Sequence, residues 1–169
     1  PPRSTLFPYT TLFRSAKLYR TGDRGPAGGI VFYDKGSYSD GWRYLEAATE
    51  DQASGIVGGG NGVKDGTRGI GQGKTNTEAV VAAKPQVKNA ARKCADYEAG
   101  GFDDWFLPSR DELLELYKQR GIVSGLKSEK YWSSTGWDAV QAVYVSFKDG
   151  KPYYGSSNTQ LRVRAIRRF

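Results

Sequence analysis

The chain has 169 residues, which suits one domain with its own core, and four Trp, eleven Tyr and seven Phe supply large apolar surfaces for that core. It carries 25 Lys+Arg against 18 Asp+Glu, a formal net charge of +7, with no His and a single cysteine, Cys94. Those absences exclude every Ser-His or Cys-His nucleophile pair, the commonest metal ligand, an intrachain disulfide and a cysteine-built metal cluster.

Residues 5–15, TLFPYTTLFRS, match the in-frame translation of a sequencing-adapter oligonucleotide at every position. The expectation is that residues 1–15 are not native and that one domain runs over 16–169. A true N-terminus, and any targeting segment on it, would then be missing. No run of about 18 apolar residues occurs, so no membrane span is expected in this sequence.

GPAGGIVFYDKGS (25–37) reads as a glycine-rich entry into a short strand, Ile30 to Tyr33. A turn at Ser39-Asp40-Gly41 leads to a second strand, WRYLEAA (42–48), and the pair predicts a hairpin. Residues 49–75, rich in Gly, Asp, Asn and Thr, read as loop. Helical signals begin at Asn76-Thr77, and Pro85 breaks or restarts the helix. Beyond it Val87, Ala90, Ala91, Cys94 and Tyr97 form one apolar stripe at helical period, so Cys94 is expected to be buried. After the aromatic turn FDDWFLP (102–108), Ser109 and Glu112 fit a capping box, with Leu113, Leu116 and Tyr117 facing inward. YWSST (131–135), AVYVSF (142–147) and KPYYGSS (151–157) read as strands. RVRAIRRF closes the chain by alternation, with Val163 and Ala165 on one face and arginines on a solvated other. The order predicts an α+β fold, two central helices packed on a small antiparallel sheet with long loops.

Two signals invite chemistry. GTRGIGQGKT (66–75) suggests a phosphate loop, but Arg68 stands where that pattern needs glycine and no strand leads in. Asp103-Asp104 leaves a calcium reading open, because hard cations want clustered oxygens; the competing reading is that Asp104 fixes the turn beside Trp105.

GPAGGIVFYDKGS, GWRYLEAA, GTRGIGQGKTNT, GGFDDWFLPSRDELLELY, YWSST and RVRAIRRF together resemble the domain at the C-terminus of the Legionella collagen-like adhesin, over about residues 20–169. The resemblance implies a variant of the C-type lectin fold and a surface or secreted binding module, in some members an adhesin for acidic polysaccharides. It brings no catalytic residues. The segment from YWSST onward also resembles the variable region of retroelement-diversified proteins, in which asparagine codons are scrambled at adenines. Tyr144, Ser146, Asp149, Tyr153, Tyr154, Ser156 and Asn158 are reachable that way, whereas Trp137, Gln141, Lys148 and Gln160 are not.

The expected function is non-catalytic binding of a glycan or surface-protein ligand, an acidic polysaccharide among the candidates, by a bacterial or phage surface or secreted protein. The expected contacts are Trp137, Asp138, Tyr144, Tyr153, Tyr154, Ser156, Asn158 and Gln160, a mix of rigid amphipathic rings and adaptable polar groups. Arg162, Arg164 and Lys151 are expected to attract an acidic ligand, and Trp42, Trp105 and Trp132 to lie in the core. No cofactor, metal or nucleic-acid partner is expected. The alternatives are a retroelement-diversified receptor-binding protein and a carboxylate-based glycan-active enzyme.

Overall fold

The computed structural model describes residues 17–58, 67–136 and 140–169. Residues 1–15, the expected foreign leader, lie outside them. Strands β1 (Ile30–Ser39) and β2 (Trp42–Ala47) form the expected antiparallel hairpin. Its turn places Asp40 at φ 52 and Gly41 at φ 80, the left-handed pair that suits the twist of a two-residue hairpin.

Segment 49–75 is not all loop. Ala53–Val57 forms β3, an edge strand paired with a partner more than a hundred positions later. Its sequence ASGIV carries almost no strand signal, because the pairing that orders it is non-local.

Three helices follow rather than two. Helix α1 (Gly73–Ala83) starts earlier than its sequence signal, and the Gln72 side chain does not cap it, accepting instead from the Thr67 hydroxyl at 2.8 Å. Helix α2 (Ala90–Ala95) is shorter than the apolar stripe that announced it. The Asn89 side chain accepts the Arg92 N–H at 2.9 Å and starts the helix there, which leaves Val87 outside it and exposed. Helix α3 (Arg110–Lys118) has the complete Ser109–Glu112 capping box, with Leu113 and Leu116 fully buried.

The remaining strands are β4 (Lys130–Gly136), β5 (Gln141–Ser146), β6 (Lys151–Ser156), β7 (Gln160–Val163) and β8 (Ile166–Arg168). The fold is α+β, as expected, but it has two sheets. One has the order β1-β2-β8 and the other β3-β7-β4-β5-β6, with β4 and β7 parallel. Strand β6 therefore ends a sheet.

The closing run corrects the alternation read from its sequence. Val163 ends β7 in one sheet and Ile166 opens β8 in the other, so the chain changes sheets at Arg164-Ala165. Arg164 and Arg167 are buried there rather than solvated. Carboxylates from distant segments meet them, which no local pattern announces.

The core forms two clusters. One gathers Trp105, Trp132, Val163 and the buried faces of α1 and α2; the other gathers Trp42, Phe106, Leu113, Leu116, Tyr131 and Ile166. Trp42, Trp105 and Trp132 are thus core residues, as expected. Cys94 is buried, and that burial pushes its thiol well above the ordinary range.

Candidate functional site

The β4–β5–β6 register places Trp132, Tyr144 and Tyr153 side by side across three strands. Residues opposite one another share a face, so the three rings form a ladder. Its inner rung, Trp132, is fully buried, and its indole N–H donates to the Ile56 carbonyl at 2.9 Å. Tyr144 meets Trp132 edge-on at 5.9 Å between ring centroids, and Tyr153 stacks on Tyr144 at 5.7 Å. Gly155 makes room for this arrangement, since a Cβ there would lie 2.9 Å from Tyr144 Cε1. The outer rung, Tyr153, is 39% exposed.

The polar groups around the ladder are set as well. The Tyr153 hydroxyl donates to Asp149 Oδ2 at 2.6 Å. That bond holds the Asp149 carboxyl below its usual range and raises the phenol of Tyr153. The Lys130 ammonium lies 5.2 Å from the centre of the Tyr144 ring.

The expected contact residues do not all converge. Neighbours along a strand point to opposite faces, so Tyr154, opposite Val143, lies on the reverse side of β6 from Tyr153 and shares that side with Ser156. Asn158 is exposed in the turn after β6, where its N–H donates to Ser156 Oγ at 3.3 Å. Gln160 borders a hollow of about 300 Å³ with Ser54, Lys130 and Ser146. Trp137 and Asp138 lie outside the described residues.

The expected cationic set also changes. Arg162 bonds Glu129 at 2.8 Å and Asp51 at 3.1 Å, and Arg164 donates from Nε to Asp51 at 2.8 Å and from Nη1 to the carbonyls of Ala48 and Ser124. The Tyr131 hydroxyl donates to the same Asp51, and burial pushes its phenol up to about 12. These arginines therefore close the fold. Lys151 remains, joined by Lys130 and Lys148, none of which forms an ion pair among the described residues. Lys130 escaped the sequence reading although it adjoins YWSST; its partner ring on β5 gave no local sign.

The two stretches that invite other chemistry are taken up by the fold itself. The Gly71 N–H donates to Glu112 Oε1 at 2.8 Å, and a Cβ on Gly73 would sit 2.2 Å from Glu112 Oε2. The glycine-rich stretch thus wraps a carboxylate of its own chain where a phosphate loop would wrap a ligand. Burial lifts the Glu112 carboxyl above its ordinary range, against the backbone donors of Ser109, Gly71 and Gly73. Asp104 is engaged by Arg167, which also bonds Glu46 at 3.0 Å. No group of three acidic, His or Cys side chains able to hold a metal gathers among the described residues.

The model of the Lcl C-terminal domain matches residues 48–167. The chain belongs to the Lcl C-terminal domain family. No curated protein matches it. The Lcl C-terminal domain match takes in the three helices, β3 to β7 and the whole ring ladder. The β1–β2 hairpin precedes the match, yet β2 pairs with β8 and Glu46 accepts from Arg167, so the hairpin is built into the same domain.

No helix among the described residues is long and apolar enough to cross a membrane.

Proposed function

We propose that this Lcl C-terminal domain is a non-catalytic, adhesin-like recognition module of a secreted or cell-surface protein. It binds a glycan or surface-protein ligand at the outer end of the ring ladder. The observation that carries this reading is Tyr153, an exposed ring on a sheet-edge strand, held flat by Tyr144 and Asp149 and backed by buried Trp132. A ring already fixed loses little entropy on contact, and a flat aromatic surface suits a sugar face or a protein side chain. Lys130, Lys148 and Lys151 supply salt-sensitive attraction toward an acidic polysaccharide. The nearby carboxylates support a binding rather than a catalytic reading, because Asp149, Glu129 and Asp51 are each engaged by Tyr153 or an arginine. The strand–helix–sheet order and the return of β8 to the hairpin support the C-type-lectin-like assignment.

The test is a set of single variants measured for folding and for binding on a glycan and surface-protein array, with a glycan-hydrolysis assay alongside. Tyr153→Ala should fold normally and lose about 1–3 kcal/mol of binding, the scale of a hot-spot ring. Tyr154→Ala, on the other side of β6, should lose less. Equal losses for the two would move the contact off the ladder, and glycan turnover would replace the binding reading with an enzymatic one.

A further inference from the structure

A second recess, of about 590 Å³, lies between the chain entering β3 and helix α2, and shares no lining residue with the hollow beside Gln160. Its volume falls within the range of small-molecule sites. Most polar groups on its walls are spent on the protein. Asp51 takes Arg162, Arg164 and Tyr131; Arg92 bonds Asp96 at 3.4 Å and the Pro85 carbonyl at 3.1 Å. Gln52 accepts the Ala165 N–H and donates to the Glu50 carbonyl at 2.8 Å.

What remains is specific. Lys88 and Lys93 on one wall, and Glu50 and Glu98 on the others, form no ion pair among the described residues. Beneath them Asn89 is fully buried, and because its Oδ1 is committed to the Arg92 N–H, its Nδ2 is left with no acceptor. A buried donor without an acceptor is costly, so Nδ2 marks a place for an oxygen from outside the chain. The charges of the remaining groups balance, which disfavours a simple anion or cation. A neutral polyol would gain little from four charged groups that water already solvates. Tyr97 and Ile56 add an apolar floor.

We propose that this cleft binds a free amino acid or a similarly small zwitterion. Its carboxylate faces Lys88 and Asn89 Nδ2, its ammonium faces Glu50 and Glu98, and its side chain rests on Tyr97 and Ile56.

The probe is L-phenylalanine, titrated into the ¹⁵N-labelled chain and followed by NMR, with phenethylamine, 3-phenylpropionate and glucose as comparisons. L-Phenylalanine should shift the amides of residues 88–98 and bind at least about fivefold more tightly than either singly charged analogue, the scale of one exposed charge contact. Lys88→Glu and Glu98→Lys should each weaken it by about as much without changing Tm. Asn89→Asp keeps the helix-capping oxygen but replaces the donor with a carboxylate oxygen, and should abolish binding in a folded protein. Tyr153→Ala should leave L-phenylalanine binding intact, which separates this test from that of the ring ladder. The proposal is overturned if a singly charged analogue binds as tightly, if glucose alone shifts residues 88–98, if Tyr153→Ala removes the effect, or if no shift appears at millimolar ligand.

Discussion

Tyr153 shows how one hydrogen bond sets the character of a surface residue. Its hydroxyl is committed to Asp149, so the ring cannot swing freely about its strand, and the carboxylate is stabilised in return. A carboxyl whose folded value is depressed adds a contribution that is present above its ordinary value, about 3.9, and lost as pH falls through the depressed one. Ring orientation at Tyr153 should therefore persist through neutral and mildly acidic pH and loosen only in strong acid. Tyr153→Phe should move the Asp149 titration midpoint, read by carbon NMR of the carboxyl, upward toward that of a free aspartate. An unchanged midpoint would mean that the bond does not form in solution.

At the scale of elements, the glycine-rich loop and helix α3 act as one unit through Glu112. Gly73→Ala would push a methyl group into Glu112 Oε2 and to 2.9 Å from the Leu107 carbonyl. The expected cost is about 1–3 kcal/mol, as for other overpacked sites, read from the midpoint of urea unfolding. Local signals made several elements legible. The Ser109–Glu112 box gave α3, and Asp40-Gly41 between apolar runs gave the hairpin. Trp42, Trp105 and Trp132, inside the motifs that carry the family resemblance, lie in the core as expected. Elements defined by distant partners were not legible: β3 exists because β7 pairs with it, and α1 starts early because its first turn packs on Glu112. The candidate site divides in the same way. Tyr153 and Tyr154 could be named as surface rings, but their placement on opposite faces of an edge strand required the register. The arginines of the closing run looked like a solvated face because Asp51, Glu46 and Asp104 lie far away in sequence.

At the scale of the whole domain, the buried arginines among the described residues, Arg164 and Arg167, each anchor a knot of charge. Asp51 serves Arg162, Arg164 and Tyr131, while Arg167 serves Glu46 and Asp104. Removing one partner of a buried pair leaves an uncompensated charge, which costs about 3–5 kcal/mol. Asp51→Ala should therefore destabilise the domain on that scale although Asp51 is no part of the ring ladder, with thermal and denaturant midpoints both falling. Trp132→Ala should cost a similar amount, about 3–5 kcal/mol, by opening a cavity under the ring ladder. If Asp51→Ala cost no more than an ordinary surface change, within about 0.5 kcal/mol, the knot would not be closing the fold.

The span of these knots also bears on how the domain comes into being. Glu46 and Arg167 are separated by 121 positions, and Asp51 and Arg164 by 113. Contacts of such reach are slow to find, because the intervening chain must be ordered before either pair can close. A nascent chain emerging residue by residue would carry Glu46 and Asp51 as bare carboxylates until β7 and β8 arrived, with one edge of β2 open throughout. Completion of folding is thereby tied to delivery of the closing strands, and an interrupted copy ending before Arg162 would hold none of the three arginines that neutralise its interior. Such a copy should be recognised by its open β2 edge and cleared by proteolysis rather than persist as a partly working binder.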